Sequence, residues 1–302
     1  MKATLLAALM FLSLGAPAAL AQDGAWESGI KAGDAAMAGR RYAEAETAYR
    51  GAVKAAEKFK SKDPRSAAAL IKLAESLSRQ AKQAESEETA ARALEALDRA
   101  VKGSKPKDSE EEFYSTETQV SVLEKAGEVF SAGEKYAEAE PLFKRAVALR
   151  EEAARVKEKP KSNEDFMKFL AQATTRAQAK LAESYGRLAI LYIKQRRHAE
   201  AEPLYLKAIA ALEAEFGADA PPVADAVSRL ATLYAIQDEF DKAEPLYARA
   251  VRAYEASGWL DKPETAAAME NYSLLLRKTG REAEAAAMFE RAKAVRAKLP
   301  PK

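Results

Sequence analysis

Apolar positions along this chain follow two rhythms, one inside short segments and a longer one between them. Stretches such as LEKAGEVFSA (residues 123–132) and SRLATLYAIQ (residues 228–237) place apolar side chains three and four residues apart, which predicts amphipathic helices. The longer rhythm is a phrase: YAEAE at residues 42–46 returns as YAEAEPLF from 136, HAEAEPLY from 198, FDKAEPLY from 240 and EAEAAAMF from 282. The last three copies are 42 residues apart. A block recurring at this separation marks a repeat protein.

Aligning the copies puts Ala45, Ala139, Ala201, Ala243 and Ala285 in one column. Tyr49, Phe143, Tyr205, Tyr247 and Phe289 follow four residues on, and Ala52, Ala146, Ala208, Ala250 and Ala292 three beyond those. Twelve residues before the first alanine column stand Gly33, Gly127, Ala189, Ala231 and Ser273, all small. Small columns let two antiparallel helices, A and then B, approach closely, while the aromatic fills the gap to the next pair. A sixth unit lies between the first two copies: LIKLAESLSRQ (70–80) has the helix A pattern with Ala74 in the small column. AARALEALDRA (90–100) has the helix B pattern with Ala93, Leu97 and Ala100, which implies seven extra residues between the two. The step from Ala139 to Ala201 holds a 20-residue insertion around REEAARVKEKPKSNEDFMKF, predicting a longer helix B, a turn at Pro160 and a longer next helix A. Asp63-Pro64, Asp219 to Pro222 and Asp261 to Pro263 combine a capping acid with a proline near a helix start. Gly217, Gly258 and Gly280 fall where helices should stop.

The pattern of a small residue on helix A followed by A-x3-[FY]-x2-A on helix B resembles the tetratricopeptide repeat. The 42-residue spacing, with LATLYAIQDEFDKAEPLYARAV and FGADAPPVADAV, is similar to the longer variant of kinesin light chain and many bacterial proteins. The resemblance covers about residues 23 to 297. It implies an all-α, right-handed superhelical solenoid of about six repeats, at approximately 23–60, 64–104, 109–158, 163–216, 221–257 and 262–297. It also implies a non-enzymatic scaffold or adaptor whose concave groove binds a peptide segment or partner protein.

The N-terminal segment leads to an expectation about location. Lys2, the apolar run TLLAALMFLSLGAPAALA and the small-x-small site Ala19-Leu20-Ala21 read as a signal peptide over residues 1–21 with cleavage after Ala21; the alternative is a membrane anchor, for which the run, interrupted by Gly15 and Pro17, is short. The expected location of the mature chain, 22–302, is periplasmic or secreted. With no cysteine the chain forms no disulfide, so stability in an oxidising compartment must come from packing. A formal charge of +2, from 48 basic and 46 acidic side chains, supplies no overall field for nucleic acid or membrane.

Catalytic raw material is scarce. The chain has a single histidine, no cysteine, no phosphate-cradling glycine loop and no metal-ligand spacing, so no catalytic, cofactor or metal site is expected. His198 stands in the column of Tyr42, Tyr136 and Phe240, a packing position at the A–B turn. A row two residues before the small column, which faces the groove in the repeats this chain resembles, reads Lys31, Lys72, Lys125, Arg187, Arg229 and Asn271. Such a row suits an acidic segment or a C-terminal carboxylate. It is equally explained by pairing along each helix: Asp34, Glu75 and Glu128 follow the first three at i+3, and Glu183 and Asp225 precede the next two at i−4. Ile190, Thr232 and Leu274 leave Arg187, Arg229 and Asn271 without an acid at i+3.

Two further surfaces invite partners. Lys58, Lys60, Lys62, Lys102, Lys105, Lys107, Lys157, Lys159 and Lys161 occupy the turns after the first three B helices, forming either a basic edge for anionic lipid or cell wall, or ordinary helix-end compensation. Nucleic acid is not expected, because these loops lack interleaved aromatics. The last helix has only Pro300-Pro301-Lys302 after it, so Met288 and Phe289 stand partly uncovered for self-association unless Arg291, Lys293 and Arg296 cover them.

Overall fold

The computed structural model describes residues 17–59, 62–103, 109–155 and 164–299. Twelve helices, and no strand among the described residues, form six consecutive helix–turn–helix segments of an all-α repeat solenoid. They are α1 (Pro17–Ala38) and α2 (Tyr42–Ala56), α3 (Arg65–Ser78) and α4 (Gln83–Gly103), α5 (Ser109–Ala132) and α6 (Tyr136–Arg155). The remainder are α7 (Glu164–Lys194) and α8 (His198–Phe216), α9 (Pro221–Ile236) and α10 (Phe240–Ala256), α11 (Pro263–Lys278) and α12 (Glu282–Arg296). The insertion lengthens α6 to 20 and α7 to 31 residues, while Pro160 lies outside the described residues. Helix α1 runs through the expected cleavage point after Ala21. No described helix is long and apolar enough to cross a membrane.

Two compact units divide the chain, Met1–Ala139 and Glu140–Lys302. In the first, Ala36, Ala45, Tyr49, Leu73 and Leu77 form a core cluster joined by Ile30, Met37 and Val53. Gly33 explains the closeness of α1 and α2, since a Cβ there would fall 2.2 Å from a Tyr49 ring carbon. In the second unit Val251, Ala266, Met269, Leu276, Ala285, Met288, Ala292 and Val295 form the terminal core.

The register of α4 corrects the sequence reading. No seven-residue insertion separates α3 from α4, which are joined by a turn of Arg79 to Lys82. Ser86, not Ala93, takes the alanine column, and its hydroxyl donates to the Ala74 carbonyl at 2.7 Å. Serine is small enough for the column, and Ala90 stands where other repeats place an aromatic, so the sequence signal was absent. Helix capping also departs from expectation. Asp63 Oδ1 accepts the Arg65 N–H at 2.9 Å, but α9 and α11 start on proline with no side-chain cap from Asp219 or Asp261.

A residue in the left-handed region tightens each A–B turn: Arg40, Ala81, Glu134, Arg196 and Asp238, with φ between 57° and 60°, and Gly280. Beside four of these turns a cation just ahead of helix B reaches the preceding repeat's acid. Lys82 meets Glu46 at 2.6 Å, Lys135 meets Glu87 at 2.5 Å, Arg197 meets Glu140 at 2.5 Å, and Arg281 meets Glu244. The exception is Glu239, which holds the same place before α10; here the preceding acid, Glu202, accepts the Tyr234 hydroxyl at 2.8 Å, and Lys242 pairs with Glu239 at 2.7 Å.

Candidate protein-binding site

Within unit 2, α9 packs against both α7 and α11 as well as against its flanking B helices. The A helices therefore line one continuous face, and in unit 1 α3 and α5 do the same. The predicted row lies on these faces, but its partners are not those expected from spacing. Lys72 Nζ on α3 pairs with Asp34 Oδ1 on α1 at 2.7 Å, and Lys125 on α5 pairs with Glu75 on α3. Asn271 Nδ2 on α11 approaches Thr232 Oγ1 on α9 at 3.4 Å. Each of these row residues reaches back to the A helix of the preceding repeat, whereas the sequence placed Asp34 with Lys31 and Glu75 with Lys72. Neighbouring A helices bring the row position of one beside the position three residues further along the one before it. Stacking thus overrides the i, i+3 contact, which is worth only a few tenths of a kcal/mol.

The aromatic column feeds the same points. Tyr49 OH donates to Asp34 Oδ1 at 2.6 Å, and Tyr247 OH to Thr232 Oγ1 at 2.9 Å. Burial, then the Asp34 charge and hydrogen bond, holds the Tyr49 hydroxyl far above its ordinary value, so it remains a donor. Asp34 consequently joins its own helix B to the next helix A. The acceptors Asp34, Glu75 and Thr232 were in the sequence, in a column that also holds Glu128, Ile190 and Leu274; what spacing missed was which helix each one serves.

The two arginines of the row, both in unit 2, pair differently. Arg229 is half exposed and pairs with Asp225 on its own helix at 2.8 Å. Burial disfavours its charge, but Asp225 more than offsets this and leaves the guanidinium above its ordinary value. Arg187 lies 3.9 Å from Glu183, again on its own helix. Tyr205, opposite Ile190, lacks the hub acceptor, and burial pushes its hydroxyl up to about 12. Tyr254 is fully buried with its hydroxyl unpaired; burial first, then Asp225 and Glu264, push that hydroxyl up. Of the large apolar side chains that stand exposed among the described residues, Ile190, Ile236 and Leu274 are on the A helices of unit 2, Leu206, Phe216 and Phe289 are on its B helices, and none is in unit 1.

The remaining sequence candidates are scattered. Lys31 is exposed and forms no ion pair among the described residues. Lys58, Lys62 and Lys102 are likewise exposed and unpaired there, while Lys60, Lys105, Lys107, Lys157, Lys159 and Lys161 lie outside the described residues. His198 opens α8, partly exposed. At the C-terminal helix Met288 is buried, contrary to expectation, and Phe289 is 43% exposed. Arg296 grips Glu270 with two hydrogen bonds of 2.5 and 2.7 Å. A cavity of about 260 Å³ opens among α2, α3 and α4, floored by Val53, Phe59 and Leu70, and no row residue lines it.

Stacked helix pairs presenting a continuous A-helix face define a helical-repeat scaffold. Family models of the tetratricopeptide repeat match residues 180–256, 224–298 and 30–109, together more than half of the sequence. The chain belongs to the tetratricopeptide repeat family, whose members mediate protein–protein interactions and are generally scaffolds without catalytic activity. Its fold is similar to that of BtubC (BKLC) from P. vanneervenii, at 16% identity over 92% of this chain and 91% of that one, with a TM-score of 0.58. A putative kinesin light chain from Podosopora anserina gives 16% identity and a TM-score of 0.56 over 78% of this chain and 96% of that chain. Apo RapI gives 12% identity and a TM-score of 0.60 over 83% and 59% respectively. At these identities the likeness establishes the fold alone. No curated protein matches the sequence significantly.

Proposed function

We propose that the chain is an exported, non-enzymatic scaffold that holds a segment of a partner protein against the A-helix face of unit 2, around Arg187, Arg229 and Asn271. The observation that carries this is the set of three exposed apolar side chains on that face, Ile190, Ile236 and Leu274, beside an arginine whose ion pair lies on its own helix. In unit 1 the same positions are spent on joining repeats. A photo-crosslinking residue at Thr232 should join to a partner protein identified by mass spectrometry. Equal labelling from Arg252, an exposed position on α10, would argue against the assignment.

Location belongs to the same proposal. N-terminal sequencing of the protein from the periplasm or medium should start at Gln22. Recovery of the intact chain in the cytoplasm would refute export.

A second reading has Lys58, Lys62 and Lys102, exposed and unpaired among the described residues, contacting an anionic lipid or cell-wall surface. Co-sedimentation with anionic vesicles that falls steeply with salt would favour it.

A further inference from the structure

We infer that the segment held by unit 2 is apolar and without net charge, in place of the acidic segment that a basic row would select. This inference rests on the A-face reading above and concerns what that face takes.

Charge comes first. The row cations of unit 2 are already compensated at close range, Arg229 by Asp225 at 2.8 Å and Arg187 by Glu183 at 3.9 Å. An incoming carboxylate would have to displace Asp225 from Arg229 while lying beside it, and would meet the charge of Glu264, which like Asp225 is felt at Tyr254. The third row position is Asn271, which is neutral. An anionic ligand therefore finds no uncompensated cation in the described row of unit 2 and two carboxylates to repel it. A neutral segment leaves every existing pair intact.

Apolar complementarity points the same way. Ile190 and Leu274, in one column 84 residues apart, are 38% and 56% exposed, and Ile236 on the intervening A helix is 51% exposed. Between them the Thr232 hydroxyl is taken up by Ser228, Tyr247 and Asn271, which leaves the Asn271 amide oxygen and its second N–H to meet the backbone of an extended chain. Unit 1 fills the equivalent column with Asp34 and Glu75, both engaged in ion pairs, and offers no comparable apolar surface among the described residues. The specificity of the face thus lies in the column three residues after the basic row, and its cations serve as fixed, internally paired walls.

The test compares two synthetic peptide pools of equal length by fluorescence anisotropy with the full chain. One pool is drawn from Leu, Val, Phe, Thr and Asn, and the other carries Asp or Glu at alternate positions. The neutral pool should bind more tightly, and Ile190→Glu with Leu274→Glu should weaken it about tenfold or more, because both apolar contacts are lost and a charge is placed in each. Leu206→Glu, on a B helix, should leave binding unchanged. All three side chains are exposed, so the variants keep their fold, as far-ultraviolet circular dichroism would verify. Tighter binding of the acidic pool, lost in Arg229→Gln, would overturn this inference and leave the A-face assignment standing. Binding of either pool that ignores every A-helix substitution would overturn both.

Discussion

Single residues carry much of the strain and closeness that the repeat requires. Five of the six A–B turns put a side-chain-bearing residue in the left-handed region, where only Gly280 is at ease. A non-glycine residue there costs about 1–2 kcal/mol, partly offset by the extra freedom of glycine in the unfolded chain. Ala81→Gly should therefore raise stability by roughly 0.5–1 kcal/mol, read as a higher urea midpoint, and Gly280→Ala should lower it similarly. An unchanged or lower midpoint for Ala81→Gly would show that the turn is not under strain. Gly33 is the opposite case. Its missing Cβ is filled by the Tyr49 ring, so Gly33→Ala forces the two helices apart and should cost about 1–3 kcal/mol. This requirement was legible in the sequence, because Gly33 stands in a column of small residues. The left-handed turns were not, because arginine, alanine, glutamate and aspartate carry no signature of that conformation.

At the scale of elements, ion pairs mark where helices of successive repeats meet. Glu239 breaks the sequence of turn cations, and its neighbour Glu202 is met by a neutral tyrosine hydroxyl. Glu239→Arg should complete the pattern and raise the thermal midpoint, for a gain of roughly 0.2–1 kcal/mol typical of partly exposed pairs. A fall in the midpoint would mean that the Lys242 contact matters more than the missing clamp. Column alignment made most elements legible: the A and B helices, the long α6 and α7, and the small-residue contacts all follow from it. It failed at α4, where Ser86 and Ala90 replace the alanine and the aromatic. It failed again for the row, because spacing along one helix cannot say which side chains a neighbouring helix brings near. Lys31 and Lys72 were recognised as cations with local acids available, yet both acids, Asp34 and Glu75, serve the following repeat.

For the whole molecule these pairs set a response to acid that both units share. In unit 1 the Lys82 hydrogen bond, helped by Gln80 and Arg50, lowers Glu46 from its ordinary 4.5 to about 2. In unit 2 Arg197, helped by Lys144, brings Glu140 to about 2. A depressed carboxylate stabilises the fold above its unfolded value and loses that contribution as protons return, so the stabilisation is complete above about pH 4.5 and fades towards pH 2. Melting temperature should fall through that window, and Glu46→Gln with Glu140→Gln should flatten the fall while lowering stability at neutral pH. The back-reaching contacts between A helices bear on how such a chain can lengthen. Each carries its acceptor on the earlier helix and its donor on the later one, as from Asp34 to Lys72 and from Glu75 to Lys125. A tandem duplication of one period would bring both halves of the joint with it and fit without new residues, whereas an inverted or shuffled copy would set acid against acid.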